Sequence, residues 1–111
     1  MAALTTQSLS RAGLAPTPVA ANAGGDTMAT GDQMFLQVKT AGTGTTVTIA
    51  TPGTVQGLAV ADVSVTLAAT AEKWIGPITT ALFADPAGTP VNSAAITYTS
   101  VTTVTVGAYS L

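Results

Sequence analysis

The sequence predicts an all-β protein, a small antiparallel β-sandwich or barrel-like domain preceded by an extended N-terminal arm. Three observations carry this reading. From residue 33 onward, apolar residues alternate with polar ones in about six or seven short runs, spaced near 8–15 residues apart. No segment offers a helical stripe of useful length, so no strand–helix–strand unit can be built. The first 25 residues follow neither a helical nor a strand period. The expected division is therefore an arm at 1–25 and a sandwich domain at 26–111.

Within the arm, Leu4, Leu9, Leu14 and Val19 recur every five positions, while Pro16 and Pro18 prevent a continuous helix. Gly24-Gly25-Asp26 reads as a flexible joint to the body. Fully extended, such an arm reaches roughly 80 Å. Its backbone entropy exceeds what a few spaced aliphatic side chains offset. It is therefore expected to order only along a large partner surface, with strand addition to an exposed edge supplying further hydrogen bonds.

The body strands follow in order. Residues 34–39 place Leu36 and Val38 on one face and Phe35 on the other, and the Gly-rich stretch 40–45 reverses the chain. Thr46-Val47-Thr48-Ile49-Ala50 alternates cleanly with Val47 and Ile49 inward, before the turn signal Thr51-Pro52-Gly53-Thr54. Residues 63–67 repeat the alternation, and 72–75 make a short strand that Gly76-Pro77 stops. Leu82-Phe83 is apolar and precedes the turn signal Asp85-Pro86-Ala87-Gly88. The last strands are expected at 95–99 and 103–108, with Ile96 and Tyr98, then Val104 and Val106, as same-face pairs.

Composition narrows the function. The chain has 111 residues, 47% hydrophobic and only 7% charged, with no His and no Cys. About two residues in five are Ala or Thr, a bias far from ordinary usage. Thr suits a half-buried pleated surface because it is β-branched with a polar tip. Three cations, Arg11, Lys39 and Lys73, against five carboxylates make no basic patch, so no nucleic-acid partner is expected. A surface this poor in charge, against the usual share of about 25–35%, suggests that much of it meets other protein. Residues 1–10 lack a basic region followed by an apolar one, so no secretory signal is expected. The uncharged stretch 86–111 alternates with period two and contains Thr, Ser, Asn, Pro and Gly, so no membrane span is expected either.

The residues that carry chemistry are sparse. Without His or Cys there is no thiol nucleophile, imidazole base or imidazole metal site, and the abundant hydroxyls lack an activating partner. Asp26, Asp32, Asp62, Glu72 and Asp85 show no spacing that pairs two carboxylates across a cleft, and Asp32, Asp62 and Asp85 read as turn and loop-end residues. Asp26 and Asp32 are carboxylates of the kind calcium takes, but their spacing is not that of an EF-hand. No enzymatic activity, no metal and no cofactor are expected. Trp74, the single Trp, stands in Glu72-Lys73-Trp74-Ile75-Gly76-Pro77. It is either an interface anchor or a core residue, because alternation leaves Trp74 and Ile75 on opposite faces and does not say which is inside.

Several short stretches resemble small virion proteins of tailed bacteriophages. They are Met1-Ala2-Ala3-Leu4-Thr5-Thr6-Gln7, Arg11-Ala12-Gly13-Leu14, Gly24-Gly25-Asp26 and Phe35-Leu36-Gln37-Val38-Lys39, then Trp74-Ile75-Gly76-Pro77, Phe83-Ala84-Asp85-Pro86 and Val104-Thr105-Val106. The chain looks like a capsid decoration, or cement, protein. That resemblance implies a sandwich body bound to the outer surface of the head, with an arm along the shell, clamping neighbouring major capsid subunits. The implied partners are the major capsid protein and further copies of the chain, as a homo-oligomer on the lattice. The implied location is the capsid exterior of a virion assembled in the host cytoplasm. The residues expected at the partner interface are Leu4, Leu9, Arg11, Leu14, Val19 and Trp74. The alternatives are a carbohydrate- or receptor-binding sandwich on the virion, or another small head–tail or tail component.

Overall fold

The structure, a computed structural model, describes residues 2–52, 54–86 and 91–111. Its strands in chain order are β1 (Ala2–Ala3), β2 (Thr6–Ser8), β3 (Val19–Ala20), β4 (Asp26–Ala29), β5 (Met34–Thr40) and β6 (Thr45–Ile49). They continue with β7 (Thr54–Val55), β8 (Leu58–Ala59), β9 (Val63–Leu67), β10 (Glu72–Ile75), β11 (Ser93–Tyr98) and β12 (Val104–Ser110). A single helical turn, α1 (Thr80–Phe83), lies between β10 and β11. Two sheets pack face to face, the first in the order β1-β4-β11-β6-β9 and the second β10-β5-β12-β2, with β3 also on β12. This is the β-sandwich that the period-two runs predict.

Alternation builds the core directly. In β6, Val47 and Ile49 are completely buried while Thr46 and Thr48 turn outward. Leu36 and Val38 of β5, Ile96 of β11, and Val104, Val106 and Ala108 of β12 complete the same interior. Each such aliphatic side chain contributes about 1.5–3 kcal/mol on burial, Ala less. The chain steps repeatedly between the sheets, so partners are distant in sequence. The long antiparallel pair β5–β12 runs from Val104↔Thr40 to Ser110↔Met34, and β4 pairs with β11 from Ser93↔Ala29 to Ile96↔Asp26.

The N-terminal segment corrects the expectation of an arm that needs a partner to become ordered. β1 runs parallel to β4, β2 runs parallel to β12, and β3 lies antiparallel to an earlier part of β12. Between β1 and β2, the Leu4 amide donates to the Thr27 carbonyl at 2.8 Å and the Leu4 side chain enters the core. The protein's own sheets present free edges on β4 and β12. Ladder hydrogen bonds to those edges add to the aliphatic contacts, and a reckoning from side chains alone omits them. The Gln7 side chain then pins the returning chain: its Oε1 accepts from the Thr17 amide at 2.9 Å and from its hydroxyl at 3.2 Å. Residues 2–8 thus cross from one sheet to the other and seal that side of the sandwich.

Two further elements differ from the sequence reading. The Gly24-Gly25-Asp26 joint leads straight into β4, with Asp26 facing the interior. Leu82-Phe83 belongs to α1, whose single turn buries Phe83. Gly53 and the end of the expected turn at 85–88 lie outside the described residues.

Candidate functional site

The outer face of the second sheet gathers three aromatic side chains from three strands. Register sets Trp74 of β10 opposite Gln37 of β5, and sets Phe35 of β5 opposite Tyr109 of β12. Since Ile75, Leu36 and Ala108 point inward, their neighbours Trp74, Phe35 and Tyr109 share the outer face. Gly107 sits on that face beside Gln37. A Cβ there would lie 2.6 Å from the Tyr109 hydroxyl, so only glycine lets this ring fold across the sheet. In that position the Tyr109 hydroxyl donates to Gln37 Oε1 at 3.0 Å.

The ring geometry is close. Phe35 and Tyr109 stack at 5.9 Å and 25°, and Trp74 tilts against both, 5.4 Å from Phe35 and 5.3 Å from Tyr109. These separations lie in the range where aromatic pairs attract beyond their buried area. Tyr109 is 1% exposed and Trp74 52%, so two rings form a fixed backing and the third remains open to solvent. Gly76 passes tightly against Phe35, where a Cβ would come within 2.7 Å of the Phe35 Cβ. A groove of about 440 Å³ runs from here, bounded by Phe35, Trp74, Pro77 and Leu111, with Asp32 and Gln33 on its rim. The arrangement offers a rigid indole face and two polar side chains beside it. It can grip a flat apolar or ring-shaped surface.

The structure places the other expected interface residues elsewhere. Leu4 is buried in the protein's own core, which corrects its assignment as an anchor for a neighbouring subunit. Leu9, Arg11 and Val19 are exposed and Leu14 is half-buried, along the segment that covers β12. They lie at the opposite edge of the second sheet from Trp74, so the expected interface residues do not form one patch. Sequence reasoning missed the grouping of Phe35 and Tyr109 with Trp74. Alternation around Leu36 and Val38 does put Phe35 outward, but the β5–β12 pairing that brings Tyr109 beside it is not written locally.

Two of the carboxylates tie the structure together. Asp26 Oδ2 accepts from the Tyr98 hydroxyl at 2.7 Å and from the Asn22 amide at 3.2 Å. Burial, and then the Asp26 carboxylate, push the Tyr98 hydroxyl far above the ordinary tyrosine range. Asp62 Oδ1 accepts from the Thr51 amide at 3.0 Å and its hydroxyl at 3.1 Å, closing the connection between β6 and β9. Among the described residues, no cluster of three or more carboxylates forms that would hold a metal ion. No family model, no curated protein and no solved structure matches the chain.

Proposed function

We propose that this protein is a structural component of a tailed-phage virion, a decoration protein that binds the outside of the head and reinforces contacts between major capsid subunits. The observation that carries the reading is the character of the exterior. Only eight of 111 residues are charged (three basic and five acidic). Leu9, Val19, Leu58, Trp74, Val91 and Leu111 each keep 45% or more of their surface exposed. Scattered apolar residues are ordinary on a solitary protein, but they are usually diluted among many charges. Here they are not, and a body destined for a protein lattice gains from that economy. The sequence resemblance to virion proteins points the same way.

The test is to add purified protein to heads produced without it. Binding that saturates at a fixed ratio to the capsid subunit, with a higher temperature of genome release, is the expected result. Failure to sediment with heads at saturating protein rejects the reading.

A second reading is favoured by one specific feature, the half-exposed Trp74 ring backed by Phe35 and Tyr109 with Asp32 and Gln33 beside it. An indole face flanked by a carboxylate and a carboxamide suits a saccharide, which stacks its C–H face on the ring and gives its hydroxyls to the polar groups. Retention on immobilised glycans that disappears in Trp74→Ala, without binding to heads, selects this reading over the first.

A further inference from the structure

The two sides of the sandwich end differently. On one side, residues 2–8 cover the edges of both sheets. On the other side the sheets end at β9 and β10, each at the limit of its sheet. β10 carries Glu72 and Lys73 and runs into Gly76-Pro77, features that discourage the addition of another strand. β9 reads Val63-Ser64-Val65-Thr66-Leu67, with no charge and no proline along its length. It is the less guarded edge.

The hydrogen-bonding groups of that edge can be assigned from its partner. The Thr46 amide accepts no ladder role towards β9: it donates to Thr99 Oγ1 at 2.9 Å, and the Thr46 carbonyl accepts from the Thr99 amide at 3.1 Å. Thr46 therefore faces β11, and by alternation Thr45, Val47 and Ile49 face β9. Their opposite numbers in the register are Leu67, Val65 and Val63. The backbone groups of Ser64 and Thr66 accordingly point away from the sheet. Consistent with this, the Thr66 carbonyl accepts from Lys73 Nζ at 3.0 Å, from outside the ladder. A carbonyl oxygen has two lone pairs, so this contact leaves one free.

From this geometry we propose that β9 pairs with β9 of a second copy, antiparallel, about a two-fold axis at Val65. In that register Ser64 lies opposite the second copy's Thr66. Each such pair exchanges two backbone hydrogen bonds, so the two-fold generates four. Val65 meets its own symmetry mate at a non-hydrogen-bonded position, Val63 meets Leu67, and the hydroxyls of Ser64 and Thr66 adjoin on the outer face. The strand is self-complementary: β-branched or aliphatic residues pair inward, small hydroxyl residues pair outward, and no like charges oppose each other. Centring the axis on Ser64 or Thr66 instead would pull Asp62 or Ala68 into the ladder and leave part of β9 unpaired. A five-residue strand buries far less than the roughly 800 Å² per partner of a standard interface. The pairing is therefore weak in dilute protein and grows at the high local concentration of an assembly. It does not rest on the virion reading, because the test uses purified protein alone.

The chain has no cysteine, so a single introduced thiol reports cleanly on proximity. Residues at a non-hydrogen-bonded antiparallel position have Cα atoms about 4.5 Å apart, within disulfide range. Val65→Cys at millimolar protein under mild oxidation should form disulfide dimers at least about tenfold faster than the exposed control Thr97→Cys. Adding Ser64→Pro removes an outward amide without touching the β6 ladder, and it should return the rate to the control value. Urea midpoints of all the variants establish that each is folded. Equal rates for Val65→Cys and Thr97→Cys overturn the proposal, and so does a rate unmoved by Ser64→Pro. Dimers of undiminished yield when a β9-sequence peptide is added in excess also overturn it, since that peptide must compete for a paired edge.

Discussion

Replacing Gly107 with Ala tests whether the aromatic group is held as described. The new methyl would sit 2.6 Å from the Tyr109 hydroxyl oxygen and 2.8 and 2.9 Å from two ring carbons, distances real Cβ atoms do not tolerate. The ring must swing away, breaking the 3.0 Å hydrogen bond to Gln37 and the contacts with Phe35 and Trp74. Overpacking of this kind costs about 1–3 kcal/mol. The lost hydrogen bond adds about 0.5–1.5 kcal/mol. Against this, Ala restricts the unfolded chain and recovers about 0.5–1 kcal/mol. The net expectation is a loss of about 0.5–4 kcal/mol, centred near 2, or a fall in melting temperature on the order of 10 °C for a domain of this size. Trp74 is the single tryptophan, so its fluorescence reads the same event locally. Urea titrations followed by circular dichroism and by emission give the stability and the ring environment together. The decisive comparison is a double-mutant cycle with Tyr109→Ala, because Gly107→Ala should become harmless once the ring is gone. If Gly107→Ala costs as much in the Tyr109→Ala background as in the native chain, the ring is not what requires glycine.

Three other outcomes follow from the same contacts. Trp74→Ala should lower stability by no more than about 1 kcal/mol, since half of the ring is already exposed, yet weaken partner binding by about 2 kcal/mol or more, roughly thirtyfold; unchanged affinity in a pull-down with heads or glycans removes Trp74 from the interface. Leu4→Ala should cost about 2 kcal/mol in urea denaturation, at the low end for a buried leucine because Leu4 sits at the core margin, and a neutral result means residues 2–8 do not dock as described. Tyr98 keeps its proton in the folded state at pH values where the unfolded chain, with an ordinary phenol near 10, loses it; the stability this gives is complete below about pH 10 and falls as pH rises further, so Tyr98→Phe should flatten the decline in urea midpoint above pH 10, and an equally steep decline refutes the assignment.

The parts of the fold legible in the sequence are those set by alternation within a strand. Val47 and Ile49 are flanked by threonines, so both the strand and its buried face follow from five consecutive residues. Leu36, Val38, Val104 and Val106 behave alike. β4 escaped because Asp26-Thr27-Met28-Ala29 carries a carboxylate turned inward, which no hydropathy pattern anticipates. The Tyr98 hydroxyl, 72 positions away, and the nearby Asn22 amide make that burial tolerable. The aromatic group was half legible for a similar reason. Phe35 outward and Trp74 undecided could be read locally, but Tyr109 joins them through a pairing of the last strand with β5. The spacing of Leu4, Leu9, Leu14 and Val19 misled in an instructive way. Five-residue intervals fit no regular element because the segment is used piecewise, in three short strands on two sheets with an exposed turn between.

That piecewise use gives the molecule a direction. A strand edge left open on both sides would let copies of a sparsely charged, threonine-rich sandwich polymerise without limit, the hazard that natural sheets guard against. Residues 2–8 remove one side from that possibility by pairing with β4 and β12 of their own chain. What remains open is the side bearing β9 and β10. β10 is guarded by charge and shows Trp74 on its outer face, while β9 has no charge or proline of its own, takes Lys73 Nζ on its Thr66 carbonyl and is self-complementary. A two-fold contact through β9 would close on itself and stop at two copies, leaving the two-residue β1 as the other end of the first sheet. It leaves Trp74, on the other sheet, facing outward in both copies and free for a different partner. On this proposal, self-pairing and partner binding would draw on separate strands. Substitutions in β9 should change the oligomeric state while leaving the Trp74 surface intact, and Trp74→Ala should do the reverse. A Trp74→Ala variant that loses Val65→Cys cross-linking would show that the two surfaces are one, and would collapse this division of labour.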